Sequence, residues 1–235
     1  MICFAPMGNF DFVQFIHLVS ISLPGFLLAI VSHEAAHAWM ASRFGDPTAK
    51  LQGRLTLNPA VHYDLMGTII FPLIGAAMSV GSGGGAMFGW AKPVPVDSRR
   101  FKNIRSGIFW VSFAGPLANI VLMIISALLL AIVITKVPTD FSFRTIFISM
   151  LKQSVTINVL LAVFNLIPFP PLDGSKMVSS MLDYNAARKF EELQRFSFLF
   201  IFILILTPIL GYIMYPAIVF SEFLVNIFIH LFVAL

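Results

Sequence analysis

The chain alternates long apolar runs with short polar segments, and the run lengths predict its elements. Residues 10–44 form the first run, longer than the roughly 20 apolar residues that one perpendicular membrane crossing needs. Pro24 divides it. Proline suits the first turn of a helix and Ser22 is placed to cap that end, so the pattern predicts a helix over residues 24–43 after a kinked or interfacial piece over residues 10–22. Gly45-Asp46-Pro47 then stops the helix. Between residues 49 and 57 the period changes to two: Leu51, Gly53, Leu55 and Leu57 fall on one face, and Lys50, Gln52, Arg54 and Thr56 on the other. That alternation predicts a half-buried, membrane-associated β-strand, ended by Asn58-Pro59. The stretch Lys92-Pro93-Val94-Pro95-Val96 reads as extended, its prolines restricting it to an edge.

The runs over residues 104–135 and 146–167 predict two further spans. From Phe196 the chain is almost purely apolar, broken at Pro208 and Pro216, which gives one or two more. Residues 65–88 are apolar but contain Pro72 and the run Gly81-Ser82-Gly83-Gly84-Gly85. They could cross, or dip in and return. Three Lys/Arg precede them (Arg43, Lys50, Arg54) and five follow (Lys92, Arg99, Arg100, Lys102, Arg105). If both flanks are cytoplasmic, the segment cannot cross once, and a re-entrant loop is expected.

Composition makes the membrane reading general. The chain is 58% hydrophobic and 11% charged, with a mean hydropathy of +0.91; soluble domains carry about 25% charged residues. The net charge of +4 sits between apolar runs, as expected of loops facing a lipid bilayer, and forms no patch for nucleic acid. A single cysteine, Cys3, excludes an internal disulfide and a Cys-based zinc cluster and reads as an apolar filler. The opening stretch has no positive n-region, so no cleaved signal peptide is expected. The fold class is an all-α polytopic membrane protein with a short β-strand region and a possible re-entrant loop. Residues 1–235 form one domain, with its core over about 24–183 and C-terminal helices within 196–235. The sequence sets no oligomeric state.

Against that background the segment His33-Glu34-Ala35-Ala36-His37 stands out. On a helix the two histidines lie about 40° apart on one face, one turn apart, where both can hold one metal ion. Glu34 sits one step round, within reach of a metal-bound water, as a general base. The pattern arises by chance in soluble helices; inside a span, three ionisable groups are expensive and functional by default. A catalytic zinc takes three protein ligands and leaves a fourth position open. The span over 146–167 ends on the same side as the first, and the only acidic residue of the following turn is Asp173. It is either the third ligand or the cap of a helix over 174–183, and both roles are compatible. Zn2+, ionised Asp173, ionised Glu34 and two neutral histidines sum to zero charge, which a low-dielectric site prefers. Asn165 could donate to a developing oxyanion or satisfy carbonyls freed by Pro168. Asn119 reads as helix-packing glue. His62 reads as structural, and His17 and His230 lack neighbours at ligand spacing.

These residues resemble the site-2 protease family of intramembrane zinc metalloproteases. The likeness rests on the HEAAH helix, on Asn165 to Gly174 with its Leu172-Asp173-Gly174 ending, on Gly53-Arg54-Leu55-Thr56-Leu57-Asn58-Pro59, on Gly89-Trp90-Ala91-Lys92-Pro93-Val94-Pro95-Val96, and on Ala114-Gly115-Pro116-Leu117-Ala118-Asn119. It implies His33, His37 and Asp173 as zinc ligands, Glu34 as base, a place for Asn165 at the active site, and a core of three helices over roughly 24–43, 104–135 and 146–168. No PDZ or CBS-like insert fits, so the chain resembles the compact subgroup. The implied partner is a membrane-protein substrate helix, with the active site toward the cytoplasmic side. A serine protease reading fails because Val80 stands where a glycine is needed before Ser82, and Glu191 and Glu192 lie in a charged stretch unsuited to a third ligand. A transporter or channel, or a catalytically silent scaffold, could use the same intramembrane polar residues.

Overall fold

The computed structural model describes residues 10–80 and 89–234; Cys3 and the Gly81–Gly85 run with Ser82 lie outside them. The first apolar run forms a single helix, α1 (Phe12–Phe44), with Pro24 in its interior. The expected break at residue 24 is absent. Asp11 caps the helix by accepting from the Gln14 amide, and Ser22 lies inside it, buried and accepting from Gln153 Nε2 at 3.0 Å. A proline within an intramembrane helix is tolerated where neighbouring groups compensate the freed backbone. Gly45 ends α1 in the left-handed region (φ +106°), as a C-terminal glycine should.

The predicted strand is not formed, and no strand occurs among the described residues. In its place are a single helical turn, α2 (Thr48–Leu51), a turn at Gly53 (φ +68°), and irregular chain leading to a second short turn, α3 (Pro59–His62). Asp46 starts α2 by accepting from both the amide and the hydroxyl of Thr48. The apolar side of the alternation faces outward: Leu51 is 78% and Leu57 62% exposed. With its apolar side off the core and no partner strand among the described residues, the alternation does not build a ladder.

A π-helical turn over Leu65–Ile70 runs into α4 (Phe71–Ser79). The chain then comes back to its start, since the Trp90 amide donates to the Gly67 carbonyl at 3.0 Å. Residues 89–97 have no regular secondary structure, and the Lys92 amide donates to the His62 carbonyl. Next come α5 (Ile104–Lys136) and α6 (Arg144–Leu166), then α7 (Asp173–Met181), α8 (Tyr184–Glu191), α9 (Ser197–Leu206) and α10 (Ile209–Ala234). Helices α1, α5, α6 and α10 are each long and apolar enough to cross a membrane, so the chain is an integral membrane protein. Within 196–235, α10 is the one such helix among the described residues, and α9 is a ten-residue piece before it.

The centre is the trio α1, α5 and α6, with α10 laid against α5 and α6. Phe26, Ala29, Ile30 and Val31 of α1 meet Ile157 of α6 and Ala91; Met123 and Ala127 of α5 meet Val155 and Val159 of α6. Small residues dominate the closest approaches: Ala29, Ala38, Ala41, Ala114, Ala127, Ala131 and Ala162 are all buried. Such residues let helix backbones approach where lipid offers no hydrophobic drive to associate.

Candidate metal centre

Two elements deliver the side chains to a single point, a pair from α1 and one from the start of α7, and α5 leaves room for them. Helix α1 presents His33 and His37 one turn apart, and both rings pack against α5 at Gly115. A Cβ built on Gly115 would lie 2.5 Å from His37 Nε2 and 2.6 Å from His33 Nε2, so any side chain there would fill the space the two nitrogens face. Asp173 arrives from the turn after α6. Gly174 lets α7 start directly on the end of α6, since a Cβ there would overlap the Leu166 and Ile167 carbonyls. Leu172 occupies the position before α7 and no side chain caps that end. The capping role expected for Asp173 is therefore not observed; it is the first residue of α7, and its carboxylate turns to the histidines instead.

Asp173 Oδ2 lies 3.1 Å from His33 Nε2 and 3.1 Å from His37 Nε2, and all three residues are buried. The other ring nitrogens are engaged: His33 Nδ1 with Asn119 Oδ1 at 2.6 Å, and His37 Nδ1 with the Val111 carbonyl at 2.6 Å. A carbonyl only accepts, so His37 donates from Nδ1, and a neutral ring would then turn a bare Nε2 lone pair to the Asp173 oxygen. Facing acceptors repel unless a cation lies between them. Ligand bonds of about 2.0–2.1 Å in a tetrahedral site set ligand atoms roughly 3.4 Å apart, close to the spacing here. The donor set and its spacing fit a zinc ion. Lys176 Nζ holds the second carboxylate oxygen of Asp173 at 3.2 Å.

Glu34 lies on the same helix, and its Oε2 accepts from the Val94 amide at 2.8 Å. The segment that carries Val94 is itself held from α1's end: buried Asp46 accepts from the Asp97 amide at 2.7 Å. Burial alone would raise the Asp46 carboxyl, but the Thr48 hydroxyl, the Asp97 and Thr48 amides and nearby Arg100 hold it below its ordinary value. A cleft of about 180 Å³ opens beside the cluster, lined by Ile30, His33, Glu34, Trp90, Ala91, Leu161, Phe164, Asn165 and Leu172. Asn165 thus reaches the cleft, with its Nδ2 on the Leu161 carbonyl at 3.0 Å. That carbonyl lies within α6, four residues back, and is not one of those freed by Pro168 and its neighbours.

The model of peptidase family M50 matches residues 131–207. The chain is also 35% identical over 191 residues, 81% of its length, to a Bacillus subtilis (strain 168) protein named "Putative zinc metalloprotease YwhC", covering 82% of that relative. The chain belongs to peptidase family M50. Proteins given the same description under the name Rip2 are 29% identical in Mycolicibacterium smegmatis, over 85% of this chain and 71% of the relative, and 26% identical in Mycobacterium tuberculosis strain H37Rv, over 80% and 68%. No solved structure gives a significant match. Family M50 is the site-2 protease family of zinc metallopeptidases.

The structure brings His33, His37, Glu34, Asp173 and Asn165 to one place; His62 stays apart, buried, with Nε2 on the Thr56 carbonyl at 3.0 Å. Sequence reasoning missed the supporting groups Gly115, the Val111 carbonyl, the Val94 amide, Lys176 and Asn158, and read Asn119 only as packing glue. A carboxamide inside an apolar span was the available signal for the last two; the backbone groups left none.

Proposed function

We propose that this M50 member is an intramembrane zinc metalloprotease that hydrolyses peptide bonds in or near the transmembrane segments of membrane-protein substrates. The observation carrying this reading is the convergence of two imidazole Nε2 atoms and one carboxylate oxygen, beside a glutamate and an apolar cleft, among helices long enough to span a bilayer. His33, His37 and Asp173 would hold the ion and leave a fourth position open. When bound, zinc polarises the scissile carbonyl and lowers the pKa of water toward about 7.

The remaining work falls to the chain's own groups. The Val94 amide fixes Oε2 of Glu34, so Oε1 is the atom that takes a proton from the attacking water and passes it to the leaving amine. Lys176 on Oδ1 of Asp173 keeps Oδ2 turned to the histidines. Asn165 has a second amide hydrogen for the oxyanion that develops during attack. Ile30, Trp90, Leu161 and Phe164 give the cleft walls suited to an apolar segment unwound from its helix.

The site would face the cytoplasm. Of fifteen Lys and Arg, twelve lie at the end of the helices that carries the site (Arg43, Lys50, Arg54, Lys92, Arg99, Arg100, Lys102, Arg105, Lys176, Arg188, Lys189, Arg195); Lys136 and Arg144 lie at the other end, and Lys152 within α6. Cytoplasmic loops carry that excess. We read Leu65–Ser79 as one arm of a re-entrant hairpin: it is too short to cross, and Trp90 returns to Gly67.

Metal analysis of the purified protein tests the ligand set. Wild type is expected to hold about one zinc per chain, Asp173→Asn markedly less, and Glu34→Gln as much as wild type with cleavage abolished. Unchanged zinc in Asp173→Asn would remove it from the set.

A further inference from the structure

Two carboxamides inside the helix trio are fully buried: Asn119 on α5 and Asn158 on α6 are each 0% exposed. Groups this polar are costly at membrane depth unless every donor and acceptor is used, and here the usage sets a direction. Asn158 Nδ2 lies 2.9 Å from the Ser154 carbonyl, which can only accept, so Asn158 Oδ1 must face Asn119. Asn119 Nδ2 lies 3.0 Å from that oxygen and 3.0 Å from the Ala29 carbonyl, again acceptors, so both of its hydrogens are spent and its Oδ1 faces His33. His33 Nδ1, 2.6 Å away, must then be the donor. A neutral ring that carries its proton on Nδ1 has a bare Nε2, and that Nε2 is the atom 3.1 Å from Asp173 Oδ2.

We infer that Asn119 and Asn158 are positioning residues: anchored on the backbone carbonyls of Ala29 and Ser154, they lock His33 in the tautomer and orientation that turn its Nε2 lone pair to the metal position. The inference rests on the zinc reading above and extends it to residues that touch neither substrate nor ion. Flipping either amide would set oxygen against carbonyl oxygen, so the lock has one setting. His37 needs no such relay, because its Nδ1 meets the Val111 carbonyl directly. Ser126 and Ser154, with hydroxyls 2.8 Å apart, continue the polar chain beyond Asn158. Helix-packing glue would explain the Asn119–Asn158 and Asn119–Ala29 bonds, but not the third contact to the ring.

The test uses the full-length zinc-loaded protein in detergent, reading the imidazole Nδ1–H signals of His33 and His37 by nitrogen-edited NMR and the rate of zinc release to a chelator. In wild type both Nδ1 protons are expected to be resolved and protected from exchange. Asn119→Leu should lose the His33 signal, keep the His37 signal, and release zinc about ten- to a hundredfold faster, the range typical of a lost outer-shell partner. Asn158→Leu, which removes no hydrogen bond to His33 itself, should shift both readouts the same way by a smaller factor. Asn158→Asp should restore them, since a carboxyl kept neutral by burial can accept from Asn119 and donate to Ser154. If Asn119→Leu does not fold, Asn158→Leu and its aspartate rescue decide alone. An unchanged His33 signal with zinc release within about twofold of wild type in a folded Asn158→Leu, or lowered thermal stability alone, overturns the lock. Wild-type protein whose His33 and His37 signals do not respond to zinc overturns the zinc reading as well, which separates the two failures.

Discussion

At the residue scale, each member of the cluster has one free coordinating atom and one atom held by a partner. His37 leans on a carbonyl, Asp173 on Lys176, and Glu34 on the Val94 amide. Gly115 admits the two rings, so Gly115→Ala is expected to weaken zinc binding at least about tenfold while helical content is kept, as chelator competition and circular dichroism would report; wild-type affinity would mean the rings can move aside. Val94→Pro deletes the amide from which Glu34 Oε2 accepts. It should lower kcat by about tenfold or more, the loss of one charge-assisted hydrogen bond, with zinc content unchanged. His33, Glu34 and His37 were legible in the sequence because ionisable groups within apolar runs have few structural reasons to exist, and Asp173 because it is the only acidic residue of the turn after α6. Gly115, Val111 and Val94 were not, because they act through absence of a side chain or through backbone groups. Asn119 was visible as a polar residue in a span, but its direction toward His33 depends on Ala29 and Asn158, which only the packing of three helices brings together.

At the element scale, Asp46 ties the end of α1 to the segment bearing Val94. Its carboxyl is depressed in the folded protein, so it contributes stability above its unfolded value near pH 4, and that contribution is lost as the pH falls through the lower folded value. Asp46→Asn should therefore lower the melting temperature at pH 7 and flatten the acid dependence below about pH 4, measured by thermal unfolding in detergent; an unchanged acid limb would assign the acid sensitivity to other carboxylates. Spans α5 and α6 were predicted within two residues, because unbroken apolar length is a strong signal. Two element predictions failed for one cause. Pro24 was read as the first turn of a helix and the alternation over 49–57 as one face of a half-buried strand, both by the rules of soluble proteins. Beside lipid, Leu51 and Leu57 stay exposed and α1 runs through its proline.

At the scale of the whole molecule, the charge asymmetry and the site lie at one end. With Cys3 replaced by serine, single cysteines at Arg99 and Asp140 report on opposite ends of the helices. A membrane-impermeant thiol reagent added outside intact cells is expected to label the cysteine at Asp140 and spare the one at Arg99; the reverse would put the site on the outer face. The central claim is proteolysis by Glu34 beside a zinc held by His33, His37 and Asp173. Its most direct test is quantitative proteomics of membrane fragments from cells carrying wild type or Glu34→Gln at equal abundance. The account predicts fragments ending in or next to transmembrane segments that appear with wild type and vanish with Glu34→Gln; the same fragments in both would contradict it.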